Sequence, residues 1–100
     1  MTSGSRVPER HPLVGDWVSQ DEWESAVFSV SSTPGGFRVT GVDRDDGEEF
    51  VISDLRWDGA ILRFRSLMPS TGLELLHEFR SADSDHVEHS YTRTETYVRL

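Results

Sequence analysis

Apolar and polar residues alternate with a period of two along most of this chain, in short runs bounded by turn residues. "LVGDWVS" (13–19) opens the pattern. "SAVFSVSS" (25–32) follows, rich in β-branched and aromatic residues, and closes on "TPGG"; "GFRVTGV" (36–42) comes next. "DRDDGEE" (43–49) turns the chain into "EFVISDLRW" (49–57). Asp58-Gly59 is the strongest hairpin signal, because both residues tolerate the positive φ of a two-residue primed turn. It leads into "AILRFRSLM" (60–68), and "PSTG" (69–72) turns into "LELLHEFRS" (73–81). After "ADSD" comes "HVEHSYTRTETYVRL" (86–100), long enough for two strands or one bent strand.

No window of helical length carries a 3.6-residue period. The best attempt, "LELLHEF", is bounded by Pro69 and Gly72 on one side and a turn cluster on the other, and suits a strand better. The pattern therefore predicts an all-β domain of seven or eight strands at intervals of about 10–12 residues. Short connections require an antiparallel meander, since parallel neighbours need long crossovers. Closure gives a small β-barrel; the alternative is an open two-sheet sandwich. The inward set is Trp17, Phe28, Phe37, Val39, Phe50, Leu62, Phe64, Met68, Leu75 and Phe79. An eight-stranded barrel is just wide enough for its own side chains or one small ligand. With side chains this large, a solid core is the leading expectation and a polar pocket at one end the other.

Composition narrows the class. One hundred residues make one domain, long enough to bury a single core unaided. Residues 1–11 read as a disordered lead and 12–100 as the folded domain. "MTSGSRVPER" has arginines with no apolar run behind them, unlike a secretory signal. No stretch reaches the roughly 18 apolar residues of a membrane helix. There is no cysteine, so neither a disulfide framework nor a thiolate metal site can form. These features point to the cytoplasm and away from a membrane. Eighteen acidic against ten basic residues give a net charge of −8, which repels phosphate backbones and argues against nucleic acid. Every basic residue outside the histidines is arginine, and asparagine is absent as well, a usage that fits a GC-rich bacterial genome.

On the first strand Leu13, Gly15, Trp17 and Ser19 share one face. A glycine within a strand weakens it unless a bend or close approach requires it. "PLVGDW" resembles the Gly-x-Trp motif that opens the first strand of lipocalins and their calycin relatives, the fatty-acid-binding proteins and avidins. "TRTETYVRL" is similar to the calycin last strand that returns an arginine over that tryptophan. The resemblance implies that Trp17 plugs one barrel end, that Gly15 lets a neighbouring element pass, and that Arg99 or Arg93 stacks on Trp17. Such a contact is worth roughly 0.5–2 kcal/mol. The chain is shorter than ligand-carrying calycins and has no room for the two helices of the fatty-acid-binding proteins. It is more similar to small lipocalin-like domains of bacteria, for which the resemblance implies no settled activity.

The histidines supply the candidate site. If Leu73, Leu75, His77 and Phe79 face inward, pairing Phe79 with Val87 closes a tight loop around "ADS" and sets His77 opposite His89 and Leu75 opposite Tyr91. One inner face then carries His77, His89, Tyr91 and Arg93. Cross-strand neighbours lie about 4.5–5.5 Å apart at Cβ, close enough to share a proton or an anion. The competing reading is two imidazoles bonded to each other or to nearby hydroxyls, and a one-residue slip would turn the set outward. Two imidazoles are too few for a catalytic zinc, and His86 and His89 point to opposite faces of a strand. In "DRDDGEE" glycine arrives fifth, where a calcium loop needs it sixth. A solvated turn with Gly47 at positive φ is preferred.

Arg63 and Arg65, with Ile61 and Leu67, form an outer stripe that suits a solvated face or a self-association surface. No serine, histidine and aspartate sit at a motif spacing, and no carboxylate pair stands out, so catalysis is disfavoured. No cofactor, catalytic residue or metal ligand is assigned. The leading expectation is a cytoplasmic binding module that holds a small anionic or amphipathic ligand through His77, His89, Tyr91 and Arg93. The alternative is a solid-core interaction domain, homodimeric, with no small ligand. An isomerase or hydrolase using the His77–His89 face trails both.

Overall fold

Seven antiparallel strands follow one another in a computed structural model that describes residues 11–20, 25–94 and 97–100. The strands are β1 (Gly15–Val18), β2 (Ala26–Thr33), β3 (Gly36–Asp43), β4 (Val51–Trp57), β5 (Leu62–Met68), β6 (Leu73–Ser81) and β7 (Val87–Thr94). They form a three-stranded sheet, β1-β2-β3, and a four-stranded sheet, β4-β5-β6-β7. The all-β meander is as expected, and the open two-sheet alternative is the form it takes: the sheets do not close into a barrel. The chain turns from one sheet to the other at a single corner. There Val42 bridges to Glu49, and the Phe50 N–H donates to the Gly41 carbonyl at 2.9 Å. On the opposite side β1 and β7 are the outer strands of their sheets, with no ladder joining them.

Alternation explains which side chains meet between the sheets. Phe28, Val30, Phe37 and Val39 are buried from the first sheet, and Leu62, Phe64 and Phe79 from the second; Leu13, just ahead of β1, completes the core. Phe28 is central, with its ring 5.5 Å from that of Phe64 and 5.9 Å from those of Phe79 and Phe50. A buried aromatic of this kind contributes about 1.5–3 kcal/mol, so the sheets are held chiefly by one aromatic cluster. At the end near the β2–β3 turn, the His11 ring packs edge-on against Phe37 and Trp57, at 5.1 and 5.3 Å. The lead expected over residues 1–11 falls, up to Arg10, outside the described residues.

The glycine and tryptophan of the first strand act differently from the plug-and-passage expectation. Gly15 has φ +149°, a conformation that side-chain-bearing residues rarely adopt. The atoms nearest a Cβ there would be those of Trp17 itself, at 3.5 Å. The indole folds back over Gly15 and donates its Nε1–H to the Leu13 carbonyl at 2.8 Å. The motif is thus a local lock on the edge strand. The close passage belongs to Gly41, opposite Phe28 in the β2–β3 ladder. A Cβ at Gly41 would stand 2.8 Å from the Phe50 ring and 2.9 Å from that of Phe28. Arg99 lies outside any strand and is exposed.

One turn also departs from expectation. Trp57 pairs with Leu62, so the Asp58-Gly59 hairpin has a four-residue loop. The Asp58 carboxylate accepts from the N–H groups of Ala60 and Ile61 at 2.9 and 2.8 Å, which stabilises the longer turn. Of the final run, only Val87–Thr94 is a strand; residues 95 and 96 lie outside the described residues, and 97–100 carry no strand.

Candidate functional site

The inner face of β5–β7 places the site. On β5 the inward positions run Leu62, Phe64 and Ser66, all buried; on β6 they end with His77 and Phe79. Ser66 pairs with Leu75, His77 with Phe64 on one side and Tyr91 on the other, and His89 with Phe79. The β6–β7 register therefore differs by two residues from the one expected. Tyr91, not His89, stands opposite His77, and Arg93 stands opposite Leu75. The cause lies in the hairpin. The Asp83 carboxylate accepts from the Asp85 N–H at 2.8 Å and holds the His86 ring at 2.9 Å. That compact turn lets the ladder run up to Ser81 and Val87. A slip of two preserves parity, so His77, His89, Tyr91 and Arg93 still share one face.

His77 is 1% exposed and hydrogen-bonded at both ring nitrogens. Its Nε2 lies 2.7 Å from Ser66 Oγ, and its Nδ1 lies 2.7 Å from His89 Nε2. Around it the Phe64 ring stacks at 4.7 Å and the Phe28 ring meets it edge-on at 4.8 Å. Burial, then the neighbouring His89, pushes the His77 pKa down to about 4, and burial lowers that of His89. Both rings are therefore neutral at pH 7. The arrangement that makes both hydrogen bonds and also gives the buried Ser66 hydroxyl an acceptor has Ser66 donating to His77 Nε2 and His77 Nδ1–H donating to His89 Nε2. Ser66, His77 and His89 thus form a hydrogen-bonded relay from the core to the edge strand.

The relay lines a cleft of about 800 Å³ on the open side between β1 and β7, with Trp17, Phe28, Phe50 and Leu75 as apolar wall and Tyr91 and Arg93 beside His89. That volume falls within the roughly 300–1,000 Å³ of small-molecule sites. The four expected site residues are brought together there. Ser66 escaped sequence reasoning. Its signal was a hydroxyl at an inward position of an otherwise apolar alternation, Leu62-Phe64-Ser66-Met68.

The other expected features take structural roles. Gly47 has φ +77°, and Asp43 and Asp46 each accept from a backbone N–H within their own turn, at 2.9 Å. No group of three His, Asp or Glu among the described residues is placed to hold a metal. Arg63 reaches Asp58 and Glu78, both at 2.9 Å, and Arg65 reaches Asp54 at 2.7 Å, so the outer arginines balance carboxylates of their own sheet. Among the described residues no helix is long and apolar enough to cross a membrane. No family model matches the chain, and neither a curated protein nor a solved structure does.

Proposed function

We propose that this chain is a small cytoplasmic binding module, lipocalin-like in kinship and bacterial in origin, that holds a small anionic or amphipathic molecule in the cleft between its sheets. The observation that carries the reading is the cleft itself. An apolar wall meets the polar edge of His89, Tyr91 and Arg93, the combination that orients an amphipathic ligand. His77 and Ser66 hold His89 at that edge, and Trp17 forms part of the opposite wall. Thermal shift against a panel of fatty acids, haem and small acids tests it, because a ligand that binds only the folded state raises the melting temperature. The panel is expected to contain stabilising acids, with the gain reduced in Arg93→Ala. A melting temperature that no compound moves contradicts the reading.

A second reading is favoured by the outer face of the four-stranded sheet. Leu76 stands opposite Arg65 there and Val51 opposite Leu67, 39% and 53% exposed, a mixture that suits a second copy of the chain. A molecular mass that rises with concentration and returns to that of the monomer in Leu76→Arg would support it.

A further inference from the structure

The relay has a property that simple ligand holding does not require. His77 stays neutral at the centre, while the two ends, a hydroxyl and an edge imidazole, can each act as donor or acceptor. In the neutral state Ser66 Oγ–H donates to His77 Nε2, and His77 Nδ1–H donates to His89 Nε2. A proton cannot simply be added to His89 Nε2, because it would face the His77 Nδ1–H across 2.7 Å. The whole relay must reverse. The Nδ1 proton of His77 crosses to His89 Nε2, the Ser66 hydroxyl proton crosses to His77 Nε2, and a proton from water replaces it on Ser66. The result is a cationic His89 donating to a still neutral His77, which donates to Ser66 Oγ. One proton enters, and the positive charge appears only at the cleft.

The charges around His89 say what that proton would do. From β6, His77 faces it; from β2, the uncharged Phe28, at 6.1 Å between rings; from its own strand, Tyr91 and Arg93. Asp43, at the end of β3, and Asp85 and His86, in the β6–β7 loop, are the other ionisable groups of the lining among the described residues. The Asp83 carboxylate raises the pKa of His86. His86 is paired with that Asp83 carboxylate, so Arg93 stands against Asp43 and Asp85 in the described lining, within a chain of net charge −8. A proton on His89 offsets that acidic excess and adds a second cation beside Arg93, where an anion would lie.

We infer that the cleft takes up a small organic acid together with one proton, the anion lying against His89 and Arg93 while the Ser66–His77–His89 relay reverses to carry the charge. The inference rests on the binding-module reading and goes beyond it in naming the ligand as an oxyanion and the binding as proton-linked.

Benzoate and its uncharged isostere benzamide separate the two. Calorimetric titration of the full chain at pH 7, in triethanolamine and in Tris, two buffers that carry no oxyanion, reads the protons exchanged from the difference in heat. Benzoate is expected to bind with uptake of close to one proton and to weaken by about tenfold per pH unit above neutrality, whereas benzamide binds without uptake. His89→Gln keeps a hydrogen-bonding partner for His77 and is expected to bind benzoate more weakly, with no pH dependence. Ser66→Ala removes the far end and is expected to reduce the linked uptake. NMR titration of the imidazoles in the unaltered chain supplies a readout independent of any variant: benzoate should raise the His89 pKa and leave His77 neutral. Benzoate binding with no proton uptake overturns the inference and leaves the binding module standing. Undiminished uptake in Ser66→Ala overturns the relay. Failure of both probes to bind up to roughly 10 mM overturns the binding-module reading and this inference with it.

Discussion

Two glycines and one tryptophan show how individual residues set the frame of the cleft. Gly41 lies under the Phe28 and Phe50 rings, where a methyl group would stand less than 3 Å from both. Gly41→Ala must push apart the aromatic cluster that joins the sheets, at a cost of about 1–3 kcal/mol, and thermal denaturation should show the melting temperature lowered by several degrees. Gly15 and Trp17 form the lock on β1. Trp17→Phe retains the packing but leaves the Leu13 carbonyl without its indole donor, and chemical denaturation should show a loss of about 1 kcal/mol. The Gly-x-Trp pattern was legible in the sequence as something structural, while its mechanism was not. A positive φ and an indole folded onto its own strand are backbone facts that residue types alone do not dictate. Gly41, by contrast, gave no motif, because its role depends on two rings that meet only after the sheets pack.

At the scale of elements, alternation located six of the seven strands to within about two residues, and the start of the seventh to within one, because each buries one face. Connections were harder to read. Asp58-Gly59 signals a turn, yet the Asp58 carboxylate satisfies two N–H groups beyond it and widens the loop. Asp58→Ala should therefore speed amide hydrogen exchange at Ala60 and Ile61 while leaving the amides of β6 unchanged. The β6–β7 hairpin makes the same point for the site. The inner face of the pair follows from parity, whereas the register depends on how Asp83 folds the turn. Parity alone gathered His77, His89, Tyr91 and Arg93; the register then decided that His89 reaches diagonally to His77 and so completes the relay with Ser66.

For the molecule as a whole, a neutral imidazole at the centre of the core ties stability to pH. The pKa of His77 is lowered to about 4 in the folded state, against about 6.5 for an ordinary imidazole. The unfolded chain therefore binds the proton more readily between those values. This contribution is complete above pH 6.5 and is lost as pH falls towards 4, and its upper bound is roughly 3 kcal/mol. His89 and His11, lowered by burial, act in the same direction, while His86, raised by Asp83, opposes them. Urea midpoints should fall steadily from pH 7 to pH 4.5, and His77→Gln should flatten that dependence. The two sheets are joined at one corner and open along β1 and β7, so the place where a barrel would close is instead where the relay reaches the surface. Sequence patterning predicted the strands on either side of that gap; whether they pair is decided by three-dimensional curvature that no local signal encodes.

The measurement that bears most directly on the cleft as a binding site is a residue-resolved NMR titration of the chain with benzoate. The account predicts saturable shifts concentrated on Trp17, Phe28, His77, His89, Tyr91 and Arg93, with the outer face around Val51 and Leu76 unmoved. Shifts confined to that outer face, or none at all at the relay, would contradict it.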